Sequence, residues 1–218
     1  MKRGFSFIVL TAILAFSSCT RERIRGQGSV ISEIRNISGF TEISTEGSTN
    51  IHIMQGSSFK VELRGYSNLL PYYETKLVNN TLQLGYRKDV NVKNDNTELY
   101  ITMPAITGLS LAGSGNISTS GVFAGVPDFH ARVTGSGNIE FSSGTATNFY
   151  STIDGSGNIR ALNLQADKAE TNTTGSGDTE ITANTQLKVR ISGSGNVYYR
   201  GSPVISTNIT GSGTVKPR

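Results

Sequence analysis

Seven charged side chains in the second half of the chain are of the types that could cleave an acidic polysaccharide. Asp154, Asp167, Asp178 and Glu180 could serve as acid or base, and Arg132, Arg160 and Lys168 could hold the substrate. Glycoside hydrolysis needs two carboxylates roughly 5–10 Å apart. Asp178 and Glu180 would meet that by strand spacing alone, so the spacing is a weak signal. The seven occupy mixed positions along the chain, and the plainer account is a solvated sheet face. The two histidines, His52 and His130, stand alone in alternating segments, whereas a metal site needs several ligands in a defined geometry. The recurring Gly-Ser-Gly is followed by no Gly-Lys-Ser/Thr, so it is not a phosphate loop. It also lacks the Gly-x-Ser-x-Gly frame of a nucleophile elbow. Calcium-binding β-roll repeats run on nine residues with an acidic residue in each; the period here is about twice that, with Asn in place of Asp in all but one copy. No catalytic, cofactor-binding or metal-ligating residue is therefore assigned. Tyr72, Tyr73, Tyr150, Tyr198 and Tyr199, with Arg200, remain as groups that could stack on a sugar or meet a protein; the competing account is that they cover the ends of an apolar core.

The elements that would position any of these are set by a repeat. Gly-Ser-Gly begins at Gly113, Gly135, Gly155, Gly175, Gly193 and Gly211, at spacings of 22, 20, 20, 18 and 18 residues. Asn116, Asn138, Asn158, Asp178, Asn196 and Thr214 follow it, and then Ile117, Ile139, Ile159, Thr179, Val197 and Val215. Upstream, the residues alternate with period two: Leu111, Val133, Ile153, Thr173, Ile191 and Ile209 lie two before the first glycine, and Thr107, Phe129, Phe149, Ala169, Leu187 and Ile205 lie six before it. Successive strand side chains point to opposite sides, so this pattern predicts one strand per repeat with an inward face. Phe123, Phe141, Leu162, Leu164 and Ile181 supply the apolar side of the rest of each repeat.

A unit of about 20 residues is too short for a propeller blade and lacks the period of a helical solenoid. It suits one turn of an all-β, single-stranded β-helix or β-solenoid, each coil stacking on the next at about 4.8 Å. An antiparallel meander is the alternative, since Gly-Asn is also a hairpin signal. The stack predicts a ladder of Asn side chains at the glycine corner, interrupted at Asp178 and Thr214. It also predicts that the coil around Gly175 is the weakest layer, because Thr171, Thr173 and Thr179 hold its core positions.

The first half is strand-rich. Residues 51–53, 59–63, 81–84 and 99–103 alternate; Asn79-Asn80 reads as a hairpin turn, and 68–71 as a short helical turn. Gly47-Ser48-Thr49-Asn50-Ile51 is a degraded repeat that would continue the stack. Residues 88–97 are polar and read as a mobile loop.

The N-terminus carries an address. Lys2 and Arg3 precede an apolar stretch, Phe5 to Phe16, that is too short for a membrane-spanning helix of about 20 residues, and Ser17-Ser18 lead to the only cysteine, Cys19. This resembles a bacterial lipoprotein signal peptide (residues 1–18), and the resemblance implies lipid attachment at Cys19. Residues 19–29 then read as a tether and 30–218 as one domain, with N-terminal strands over 30–104 and repeat coils over 105–218. Removing Lys2 and Arg3 from the 20 basic residues leaves 18 against 16 acidic ones, about +2. No Lys/Arg block suits nucleic acid; Arg21, Arg23 and Arg25 would sit near lipid headgroups or in the tether.

Phe40 to Ile43, Ile51 to Gly56, Thr81 to Leu84 and the Gly-Ser-Gly-Asn-Ile run from Gly113 together resemble the bacterial family of the putative auto-transporter adhesin, head GIN domain. The likeness covers roughly Ile34 to Val215. It implies an exported β-helical protein of Bacteroidetes, often a lipoprotein, with no catalytic residues to carry over. The expected function is a non-catalytic binding or structural module of the cell envelope, an outer-membrane lipoprotein on either the periplasmic face or the cell surface. Its expected partners are the membrane through the lipid anchor, a glycan or envelope protein on a flat polar face, and a second copy of the chain; the alternative function is a pectinase-like β-helix enzyme.

Overall fold

The computed structural model describes residues 21–218. Among them are nineteen strands and one short 3₁₀ turn, Leu70–Tyr72, at the place where the sequence suggested a helical turn. The second half is a β-solenoid. Gly108–Gly113 lies parallel to Phe123–Gly135, which lies parallel to Gly144–Gly155, and the ladder continues through Asn158–Gly175, Thr179–Gly193 and Val204–Gly211. Each corner glycine stands in register with the next, from Gly113 to Gly211. The pairing is parallel throughout this ladder, which rules out the meander. Gly47 is in register with Gly113, so the degraded copy is the first layer of the same stack.

The corner explains the motif. The first glycine of each copy has a positive φ, +136° at Gly155, and its carbonyl accepts two N–H groups of the following copy. Gly135 O, for example, receives Ser156 N at 2.8 Å and Gly157 N at 3.0 Å. The second glycine is demanded by space: a Cβ on Gly157 would lie 2.0 Å from the Gly137 carbonyl oxygen. Just past the corner runs the expected ladder. Asn116 and Asn158 donate Nδ2 to the Oδ1 atoms of Asn50 and Asn138 at 3.0 and 2.8 Å, and Asn138 donates to Asn116 at 2.9 Å. Of the two expected interruptions, the one at Asp178 removes only the side-chain donor, the backbone N–H taking its place, and the one at Thr214 does not occur. Asp178 donates its backbone N–H to Asn158 Oδ1 (2.9 Å) and accepts the Asn196 amide (3.0 Å), while Thr214 Oγ1 donates to Asn196 Oδ1 (2.7 Å). A carboxylate or a hydroxyl can fill a rung because the rung needs an acceptor from every residue but a side-chain donor only where one is available.

One continuous apolar core runs inside the coils and into the first half, from Phe40 to Val197. The expected inward residues Val133, Ile153 and Ile191 are buried. Phe129 and Phe149 stack on each other with centroids 6.1 Å apart, and Phe141 packs edge-on against Phe129 at 4.9 Å. Leu162 departs from the expectation: the register shifts between Ala161 and Gln165, which leaves Leu162 half-buried and puts Ala161 in the interior.

The first half closes one end of the column. Thr81–Tyr86 continues the ladder beyond Glu42–Gly47, and Glu98–Met103 continues the other ladder beyond Asn50–Gln55. Antiparallel strands are then added: Tyr73–Val78 joins the first through a turn at Asn79 and Asn80, both with positive φ, and Lys60–Tyr66 followed by Val30–Arg35 joins the second. Lys60–Tyr66 therefore does not pair with its sequence neighbour Asn50–Gln55; Glu98–Met103 lies between them.

Two expectations for this half are corrected. The tether over 19–29 contains a strand, Glu22–Arg25, and the polar loop over 88–97 contains another, Val90–Lys93; the two pair in parallel. Ile24 and Val90 point into a small separate core with Leu69. Val92 packs against it as well, so one apolar residue on the first strand and two on the second dock segments that are otherwise polar. Cys19 and the signal segment lie outside the described residues.

Candidate recognition face

Because the coils are in register, residues at one repeat position form a column up the outside of the sheet. The position five before each corner glycine gives Gly108, His130, Tyr150, Glu170 and Lys188. The next outward position gives Ser110, Arg132, Thr152, Asn172 and Arg190. Strand spacing, about 4.8 Å, matches the separation of stacked rings, and His130 and Tyr150 stack with centroids 4.8 Å apart and planes 12° apart. Tyr150 keeps 37% of its surface exposed. An outward aromatic ring in the middle of a sheet offers a flat apolar surface with a polar tip.

Polar groups frame this platform. Arg132 Nη2 donates to Asp154 Oδ2 at 2.7 Å. On the far side, Glu170 accepts from Arg190 and from Lys188. Partial burial alone would raise the Glu170 carboxyl, but the Arg190 hydrogen bond and the Lys188 charge outweigh it and hold the group below its ordinary value. Arg190 also reaches Asn172 Oδ1 at 3.3 Å. On the near side Gly108 leaves a gap above His130. A shallow depression of about 310 Å³ results, lined by Glu42, Ser110, His130, Arg132, Tyr150 and Thr152 among others. It is a groove on a flat wall rather than a pocket that would enclose a reacting group.

A second stack lies on the strands after the corner. His52 and Tyr100 are 5.0 Å apart with planes at 22°, and His52 Nδ1 is 3.1 Å from Ser118 Oγ. Met54 and Tyr100 are exposed there. Both histidines thus rest on a tyrosine, and among the described residues no three His, Cys, Asp or Glu side chains form a group that could hold a metal ion.

The charged residues singled out from the sequence do not converge. Asp154 pairs with Arg132 beside the platform, Asp178 is a rung of the corner ladder, and Glu180 is engaged by Arg218. Glu180 is in register with Arg160, on the strands after the corner. Lys168 is in register with Asn148 and Gln186, and the Asp167 carbonyl accepts the Thr185 hydroxyl at 2.6 Å. Asp178 and Glu180 are therefore neighbours in sequence whose carboxylates serve different structures.

The tyrosines divide. Tyr73 is buried against Tyr86, and burial pushes its phenol up to about 12. Tyr199 packs against the core end. Tyr72 lies under the Arg87 guanidinium, Tyr198 under that of Arg218, and Arg200 is exposed at the end of the strand that carries Tyr198. Only Tyr150 of this group stands as an outward platform. Its partnership with His130 was open to sequence reasoning, because both lie five residues before a corner glycine.

A protein-family model described as "Putative auto-transporter adhesin, head GIN domain" matches residues 39–203. No functionally curated protein matches the chain. Among solved structures, a putative adhesin from Bacteroides fragilis superposes with a TM-score of 0.71 at 25% identity, covering 89% of this chain and all of the other. A putative lipid binding protein from Parabacteroides distasonis superposes at 0.60 with 23% identity, covering 90% and 100%. A putative adhesin from Parabacteroides merdae does so at 0.56 with 19% identity, covering 90% and 99%. The last two likenesses concern the fold alone.

Proposed function

Because the chain belongs to the putative auto-transporter adhesin, head GIN domain family, we propose that it is a non-catalytic, adhesin-like module of the cell envelope that binds a glycan across its flat outer sheet, with Tyr150 as the central contact. The observation that carries this reading is the His130–Tyr150 stack, exposed in a wall otherwise made of hydroxyl, amide and paired charged groups. A pyranose ring laid across the outward edges of the stacked His130 and Tyr150 rings would meet an apolar surface beneath it. Its hydroxyls would reach Thr152, Asn172 and the Arg132–Asp154 pair. Many shallow contacts of this kind suit binding, and dispersed carboxylates do not supply an acid–base pair.

Purified protein on a glycan array tests it. Wild-type protein should retain a defined class of glycans, and Tyr150→Ala should lose at least tenfold in affinity while its unfolding midpoint is unchanged. An array with no binder, together with pull-downs that recover no envelope protein, would refute the reading.

The address follows as part of the same proposal. Lipid on Cys19 would hold the folded body at the outer membrane, since the first strand begins at Glu22, three residues further on. Cys19→Ser should release the protein from membranes. Protease shaving of intact cells would then tell the cell surface from the periplasmic face; a wild-type protein that fractionates without membranes contradicts the anchor.

A further inference from the structure

We infer that the C-terminal end of the column is a self-complementary edge at which two copies of this chain join antiparallel into a closed, twofold dimer. The last long strand, Val204–Gly211, pairs on one side with Thr179–Gly193. Among the described residues nothing pairs with its other side, so its outer N–H and C=O groups form an open template. Its inward positions continue the apolar rows of the interior. Ile205 lies in register with Leu187, and Ile209 with Ile191. Leu187 and Ile191 are 0% and 3% exposed, whereas Ile205 and Ile209 are 38% and 37% exposed. The core is thus cut open at this end.

The strand has the composition of an interface. Val204-Ile205-Ser206-Thr207-Asn208-Ile209-Thr210-Gly211 contains no charge. The edges at the opposite end are guarded in the usual way: Tyr73–Val78 carries the Lys76–Glu74 ion pair and Val30–Arg35 carries Arg35–Glu33. Charged side chains on an edge strand discourage pairing with another chain. The C-terminal edge lacks that protection along eight residues, and prolines stand only outside them, at Pro203 and Pro217.

A second copy fits this edge better than an arbitrary strand would, because its inward face is a palindrome. In an antiparallel pair centred on Thr207, Ile205 of one copy lies opposite Ile209 of the other, and Thr207 opposite Thr207. On the outer face Ser206 then lies opposite Asn208, a hydroxyl beside an amide. Directly opposed residues on one face are the stabilising unit of an antiparallel pair. The same operation sets apolar residue against apolar residue at both ends of the strand and brings no like charges together. It also uses up the open edge of Val204–Gly211 in both copies, so pairing through this strand stops at two.

Sedimentation of the purified chain carrying Cys19→Ser provides the test. The expected result is a monomer–dimer equilibrium that shifts to dimer with concentration and never grows further. Thr207→Lys places two ammonium groups against each other on the twofold and should weaken dimerisation at least tenfold. Thr207→Cys should form a symmetric disulfide under mild oxidation, because directly opposed Cα atoms lie within the range a disulfide spans; this variant keeps the test valid if the lysine disturbs the last coil. A monomer at every concentration overturns the inference and assigns the edge to a different partner. Open-ended oligomers, or a cysteine variant that does not cross-link while the wild type is dimeric, overturn the twofold arrangement.

Discussion

Two neighbouring parts of one column carry the same backbone and opposite interiors. Around Gly135 and Gly155 the coils are filled by Phe123, Phe129, Phe141 and Phe149. In the coil that ends at Gly175 the equivalent positions are Ala169, Thr171 and Thr173, with Thr179 after the corner. All three threonines are buried, and their hydroxyls find no hydrogen-bond partner among the described residues. Yet Gly175 keeps the register, the positive φ and the doubled hydrogen bond of its neighbours. Corner and ladder therefore set the shape, and the filling sets how firmly each layer is held.

That division orders the effects of substitution. The largest should come from the corner. Gly157→Ala forces a methyl group to 2.0 Å from a backbone oxygen, which no flexible side chain can relieve. The expected outcome is failure of the adjacent coils to stack, seen as loss of the cooperative melt. A variant that melts like wild type would mean that the corner does not set the shape.

Next comes the aromatic layer. Phe149→Ala should cost about 3–5 kcal/mol, measured by denaturant unfolding, and should expose the amides of coils 123–175 to exchange before the rest. A smaller loss than for a threonine-layer truncation would reverse the comparison.

The threonine layer should respond in the opposite direction. Thr173→Val replaces a buried, unpartnered hydroxyl, in register between Ile153 and Ile191, by a methyl of similar size. It should stabilise by about 1–2 kcal/mol. Destabilisation by this variant would mean that the hydroxyl is satisfied and the layer is not weak.

The smallest effect belongs to the ladder. Asp178→Asn supplies a side-chain donor facing Asn158 Oδ1, which now receives only a backbone N–H from that residue. A gain of roughly 0.5–1 kcal/mol is expected. A loss would show that the carboxylate contributes something an amide cannot.

The column was legible in the sequence because each glycine, asparagine and aliphatic residue recurs at a fixed distance from its copies. Periodicity also places the layers that differ, so Thr171 and Thr173 stood out before any coordinate. Legibility failed where pairing joins distant, unlike segments. Glu98–Met103 inserts between Asn50–Gln55 and Lys60–Tyr66, and no local pattern encodes such an insertion. Glu22–Arg25 and Val90–Lys93 are four-residue strands with Arg, Lys and Asn on their outer sides, so composition marks them as tether and loop. The recognition face lay between these cases. His130 and Tyr150 share a repeat position, but only strand spacing turns that coincidence into a ring stack; His52 and Tyr100 share no repeat, and only the fold brings them together.

Everything rests on each copy lying directly on the last in parallel. Spin labels on Ser114→Cys and Ser194→Cys, both exposed at the corner, in a chain carrying Cys19→Ser, measure this by pulsed dipolar spectroscopy. Four coil steps separate them, through Gly135, Gly155 and Gly175, so the backbone distance should be about 19 Å at 4.8 Å per step. A distance near 38 Å, as two strands per repeat would give, would contradict the parallel stack and the face built upon it.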